Sequence, residues 1–525
     1  MTELPTMISS ITNAGATNPD TGTLSRRKAC LAIGQGLALP AVLGAGGIGT
    51  TFANSPMPPV TAQSAEPAIW RAVSRFGYGL NESLLADIVQ QGALPWVRAQ
   101  LVTAQQQATQ VPAHLAPELN LSLPELFELY RDDRLRRRAI VEAASPPASM
   151  AMQAGTVAPV PPASNEPTPL RQLVNQTLAW RVTASTHPEQ ENPLLARLCE
   201  FWFNHLNVFI AKGAVRPFVG HYMLHAIRAN CLGQYEDLLL ASARHPAMLY
   251  YLDQTQSVVE GFAGPGQARG LNENYAREVM ELHTLGVGGG YSQTDVRELA
   301  RILTGWAVSP RSPTGFGFRR AAHDKQTKTL LGVRFSEGGE AEGVAALRLL
   351  ARHPATARRI SLRLAQFFVA DQPPAALVQR LSERYLATQG NLMAVMQTLI
   401  ESPETWDVRN TLFKTPMDYA FSVLTAMGGA SKRQEVVQTV GFLSAAGQPL
   451  LGWQTPDGYS FEQARWLVPE ALTRRADYAM AIAGQRPSPE YLLPFFSDRT
   501  RQTLMSVRAI SRGGLVLSSP EFMSK

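Results

Sequence analysis

The chain reads as mainly α: a large multi-helix array of helical hairpins, with a short β-hairpin or extended lobe near 314–335. Three observations lead there. From about residue 170 nearly to the end, apolar residues recur at i, i+3, i+4 and i+7, the spacing that gives a helix one buried face. Short phrases with proline recur in a form that suits helix starts: Arg244-His245-Pro246-Ala247 is echoed by Arg352-His353-Pro354-Ala355, and Ser402-Pro403-Glu404 by Ser519-Pro520-Glu521. Proline fits the first helical position and serine the N-cap. The exception is 314–335, where Phe316-Gly317-Phe318 and the run Leu330–Phe335 alternate as strands do.

Taken in order, residues 1–24 are polar and low in charge, and Ser25-Arg26-Arg27-Lys28-Ala29-Cys30-Leu31 forms a twin-arginine pattern. The uncharged run 31–53 holds six glycines and a proline, so it is apolar enough to enter a membrane but a poor permanent helix. Thr51-Phe52-Ala53 offers a small-x-small cleavage site. The expectation is a signal peptide over 1–53, read at Arg26 and Arg27 by the twin-arginine translocase. It would release a folded protein to the periplasm or medium with no stable membrane anchor. An uncleaved anchor would be richer in Leu, Ile and Phe, and a lipoprotein would carry Cys30 at the end of the apolar run. A Pro-rich spacer (54–66) and a helical block (67–142) follow. Then comes a disordered Pro/Ala-rich linker (145–169) inside the 67–523 domain, with seven prolines and almost no charge.

Composition narrows the function classes. Of 525 residues, 45% are apolar and 17% charged, as in ordinary globular proteins, and a net charge of +6 is small for this length. The dense run Arg131, Arg134, Arg136, Arg137, Arg138 sits beside Asp132 and Asp133 and reads as a solvated helix face. No basic face interleaved with aromatics appears, so no nucleic-acid partner is expected. The mature chain keeps Cys199 and Cys231, which the sequence leaves open between a disulfide and two buried thiols.

The most informative stretch is 271–307, read as helix, glycine loop, helix. Tyr275, Val279 and Leu282 form a core stripe on the first helix. Asn274, Arg277, Glu278 and Glu281 share another face, where Arg277 pairs favourably with Glu273 and Glu281. Gly286 suits a C-cap, and Ser292 with Asp295 a capping box. Val296, Leu299, Ala300, Leu303 and Ala307 form the second stripe. Arg297 and Arg301 call for an acidic partner, for which Glu278 or Glu281 is the candidate across the hairpin.

The phrases NENYAREVMELHTLGVGGGYSQTDV and ARILTGW resemble the signature of the bacterial family called domain of unknown function 1800. So do FWFNHLNVF (201–209), LGQYEDLLLASARHPAMLYYLD (232–253), the His323-Asp324 pair with LLG downstream, and SSPEF (518–522). Gln254 and Pro456-Asp457-Gly458-Tyr459 depart from the usual family pattern. The resemblance implies a large, mostly helical exported protein without an established activity. It also implies a partner, a co-encoded exported protein resembling sulfatases and phosphatases.

Two function hypotheses follow. The first is a metal-assisted or acid/base hydrolase or oxidoreductase in the periplasm. Its catalytic candidates are Glu278, Glu281, His323 and Asp324. Its possible divalent-metal ligands are Glu278, Glu281, His205, His283 and His323, a carboxylate and imidazole mixture that suits zinc, iron or manganese. His283 joins only if the helix ends early, since it lies about 140° round the helix from Glu278. The competing reading of the same residues is an ion-pair network in which Glu278, Glu281, Arg277 and Arg301 hold two helices in register. His221 and His225 form an H-x-x-x-H without the glutamate of the metalloprotease motif. Tyr291 and Trp306 line a pocket or pack the core. The second hypothesis is a non-enzymatic envelope scaffold or export partner that binds another secreted protein.

Overall fold

The computed structural model describes residues 62–144, 167–262, 270–484 and 486–525. Arg26, Arg27, the rest of the signal, spacer residues 54–61 and linker residues 145–166 lie outside them. The described chain is mainly helical, with two small antiparallel β-hairpins.

Helices Ala62–Arg75, Glu82–Gln91, Ala93–Gln107 and Leu123–Ala144 come first, so helix begins at Ala62, inside the expected spacer. They join the later helices in one hydrophobic core. Ala93–Gln107 packs on Pro193–His205 and on Leu392–Glu401, and Ala62–Arg75 packs on the 3₁₀ turn Glu490–Phe495. Trp96, Trp202, Trp306 and Tyr419 are fully buried in that core. The Leu123–Ala144 helix presents its arginines to solvent, as expected of a solvated face.

The proline phrases mostly start helices. His245 and His353 are N-caps of Pro246–Tyr251 and Pro354–Phe368, each accepting a backbone N–H through Nδ1 at 3.1 Å. Ser402 occupies the N-cap of Pro403–Trp406, but its hydroxyl donates back to Thr398 O at 2.7 Å and caps nothing. Ser519 starts no helix; it closes a turn by accepting the Phe522 N–H at 3.3 Å.

Strand β1 (Trp306–Val308) pairs with β2 (Phe316–Phe318), and β3 (Lys328–Leu330) with β4 (Val333–Phe335). The first strand falls short of the expected 314–335 lobe because the Gln293–Ile302 helix ends early. Gly305 has φ +84°, and a Cβ there would meet Arg319 O at 2.7 Å. The reversal removes Ala307 from the helical stripe and places it in β1. Trp306 packs edge-on against Phe316 with ring centroids 5.2 Å apart, a core role.

A sealed ion network lies at the centre. Arg197 donates to Glu200 at 2.9 Å and to Asp418, and Lys525 also donates to Asp418. Tyr78 and Tyr459 donate to the two oxygens of Glu200, and Arg181 donates to Tyr78 at 2.8 Å. Burial alone would raise the Asp418 carboxyl, but Arg197 and Lys525 outweigh it and hold the group below the usual aspartate range. Nearby, Cys199 and Cys231 are buried free thiols in hydrogen-bonding contact.

Candidate active site

The helix Pro193–His205 is buried along its whole length and starts cleanly, with Asn192 accepting the Leu195 N–H at 2.9 Å and proline at the first position. Its end grips a loop more than two hundred residues away. Asn204 accepts from Tyr459 N at 2.8 Å and donates to Tyr459 O at 3.1 Å. Asn207 donates to Thr455 O at 2.8 Å and Trp453 O at 3.1 Å, and Tyr251 donates to Gln454 O at 2.7 Å. Gly458 has φ +70°, and a Cβ on it would lie 2.2 Å from Asn204 O, so only glycine fits. The clamped loop carries Asp457.

Glu278 faces this loop from the helix Glu273–Glu278, which Asn272 caps by accepting the Asn274 N–H at 3.0 Å. Tyr275 and Val279 are fully buried as the stripe requires, which turns Arg277, Glu278 and Glu281 to the half-buried side; Leu282 departs from the stripe and is only partly buried, while His283 is buried in its place. From Val279 to His283 the helix widens to π geometry, a distortion often found at functional sites. Thr284 Oγ1 donating to Val279 O at 2.7 Å, and Gly286 N donating to Met280 O at 3.1 Å, close the end. Arg277 stands 3.6 Å from Glu281 and 3.9 Å from Glu273, as expected, and donates to Gln293 at 2.8 Å. Glu281 takes the Tyr291 hydroxyl, whose pKa is pushed up to about 12 by partial burial and by that carboxylate.

Glu278 itself accepts no hydrogen bond among the described residues. Burial, then the charges of Glu281 and Asp457, raise its pKa, and Arg277 only partly opposes them. The same carboxylates, Glu278 and Asp457, add to burial in raising the Tyr251 hydroxyl. Three carboxylates and two phenols therefore share one electrostatic environment.

Two arginines one turn apart on Pro354–Phe368 complete the surroundings. Arg359 donates from Nε to Leu282 O at 3.0 Å and lies against Gly286. Arg363 stacks on Phe461, with its guanidinium carbon 4.1 Å from the ring centre. Burial and Arg359 lower Arg363 to about 10, and Asp457 and Tyr459 counter them. Behind this surface, His205 donates from Nε2 to His283 O at 3.2 Å beside the Tyr235 hydroxyl. Burial, then Arg359, holds both imidazoles neutral: His283 falls to about 3 and His205 well below its ordinary value. His283 points into the core, with its Nε2 sealed and unpaired.

The other expected residues sit elsewhere. His323 holds Thr304 O at 2.8 Å through Nδ1 and faces Glu342 at 3.3 Å through Nε2. Lys328 donates to Glu342 at 2.8 Å. Asp324 pairs with Arg301 at 2.7 Å, and Arg301 also holds Glu298 at 2.6 Å. Arg297 reaches Glu260 at 2.6 Å. The partners of Arg297 and Arg301 are thus Glu260, Asp324 and Glu298, in place of Glu278 or Glu281 across the hairpin. The Arg301 and His323 contacts tie the hairpins to the helices Gln293–Ile302 and Glu340–Ala351.

Among the described residues, no group of three or more His, Cys, Asp or Glu side chains is placed to hold a metal ion. The imidazoles of His205 and His323 are held by His283 O, Thr304 and Glu342, so with Glu278, Glu281 and His283 they do not form one donor set. His221 does meet a third imidazole, accepting from His245 at 3.0 Å. His245 already accepts the Ala247 N–H through Nδ1, so its proton sits on Nε2 and points at His221.

Sequence reasoning missed Asp457, Tyr251, Arg359, Arg363 and the Asn204–Asn207 clamp as parts of one place. The available signals were the Asn204/Asn207 spacing and the glycine after Asp457. The arrangement defines a helical protein with a half-buried carboxylate and arginine surface. The chain belongs to the family of proteins of unknown function DUF1800, whose model matches residues 71–524. No curated protein and no solved structure matches it.

Proposed function

We propose that this protein, exported folded by the twin-arginine route, acts as an acid/base enzyme in the periplasm, with Glu278 as its proton donor. One observation carries the reading: Glu278 is a half-buried carboxyl that accepts no hydrogen bond among the described residues and is raised by burial and two neighbouring carboxylates. Carboxylates in unlike environments part in pKa, one keeping its proton while its neighbour takes one up. Glu278 supplies the proton and Asp457, fixed by the asparagine clamp, is the base. Glu281, countered by Arg277 and bonded to Tyr291, supplies part of the negative charge that raises Glu278 and so favours its protonated form. No step runs through a metal, because the donor residues do not converge.

The test is a comparison of purified parent, E278Q and D457N proteins incubated with periplasmic extract, followed by mass spectrometry of the small molecules. A turnover seen with the parent and lost in both variants, each still folded by circular dichroism, is expected. Identical metabolite changes in the parent and both variants would overturn the acid/base role and favour a scaffold.

A further inference from the structure

Arg359 and Arg363 are unlike the other buried arginines. Arg197, Arg75 and Arg475 each keep a nitrogen sealed and unpaired inside the protein, whereas Arg359 and Arg363 are partly exposed and none of their unpaired nitrogens is sealed. Arg359 uses Nε on Leu282 O, which leaves both terminal nitrogens without an acceptor among the described residues. Arg363 donates no hydrogen bond among the described residues; stacking on Phe461 fixes its plane. The two stand four residues apart on one helix face, about 5–6 Å apart at Cβ. Two like charges so close repel each other, and among the described residues no carboxylate bonds either one. Asp457 lies near enough to Arg363 to be felt but not to bond it.

We propose that Arg359 and Arg363 form a binding site for an oxyanion group of the substrate: a phosphate, sulfate or carboxylate. Planar guanidinium forks donate paired hydrogen bonds to such groups, and partial burial strengthens each one. A bound oxyanion satisfies the free donors, relieves the repulsion and seats its carrier beside Asp457 and Glu278. The inference rests on the acid/base reading and adds the substrate class to it.

The experiment titrates purified parent protein with inorganic phosphate, sulfate and acetate in separate arms at constant ionic strength, followed by thermal shift and by the NMR signals of the arginine Nε–H groups. Saturable binding of at least one anion is expected, weakened roughly tenfold or more in R363Q and only partly restored in R363K. R363Q is the primary variant because Arg363 makes no hydrogen bond among the described residues whose loss would unfold the chain. E278Q should still bind the anion, so an anion site without turnover would sink the acid/base reading alone. No saturable binding in any arm, or equal binding by the parent and R363Q, would overturn the site.

Discussion

Two charged clusters lie on either side of the Asn204 clamp, and they are built on opposite plans. In the sealed one, Arg197, Glu200, Asp418 and Lys525 are each no more than 4% exposed at the side chain, and every carboxylate oxygen has a donor. In the open one, Glu281 keeps 26% of its side chain exposed, and among the described residues Glu278 has no donor and Arg363 no acceptor. Buried charges are tolerated when paired, because their attraction offsets lost hydration. Half-buried ionisable groups without partners of their own cluster at functional sites, which is the ground for the proposals at Glu278 and Arg363. The clusters meet at the 453–459 loop, where Tyr459 reaches into the sealed network and Asp457 faces the open one.

Breaking the sealed side should have the largest effect. D418A leaves Arg197 and Lys525 without their shared carboxylate, and should cost about 3–5 kcal/mol in denaturant unfolding. Asp418 sits below its ordinary value of 3.8, so its contribution to stability is complete above that value and is lost as the pH falls through the depressed one. The parent should lose stability in acid by this route, and D418A should show less of that loss.

Cutting the link between the clusters comes next. N204A leaves the Tyr459 backbone N–H and C=O unpaired, an expected loss of about 2–4 kcal/mol. With Asp457 no longer held in place, Glu278 should also become easier to ionise, which a carboxyl titration of the variant checks.

The open side should respond least and with the opposite sign. Glu278 is raised above its ordinary value of 4.5, so its ionised form costs the folded state stability. That cost is absent below 4.5 and complete above the raised value. E278Q should therefore match or slightly exceed the parent at neutral pH, within about 0.5 kcal/mol, and lose that edge as the pH falls. Thermal unfolding at several pH values checks it; a large loss of stability at neutral pH would place Glu278 with the structural charges.

What the sequence made legible follows the same divide. Local signals came through: the Ser292–Asp295 capping box, the Gly286 reversal and the histidine-proline helix starts all depend on contacts a few residues apart. Long-range pairing did not. Arg301 calls for an acid, yet the acid that answers is Asp324, brought round by a strand reversal at Gly305. Arg359 and Arg363 carried no signal of their own, because only the folded chain brings Phe461 and Asp457 to them. Glu278 was legible as a candidate; its neighbour Asp457 was not, since the clamp holding it spans 255 residues.

Glu278 is an open carboxyl that its neighbours raise above its ordinary value and that accepts no hydrogen bond among the described residues. A carbon-13 NMR titration of the Glu278 carboxyl, in the parent and in D457N, tests it most directly. The expected midpoint lies above 4.5 in the parent, with a downward shift in D457N. A parent midpoint at or below 4.5, or one that D457N leaves unchanged, would contradict it.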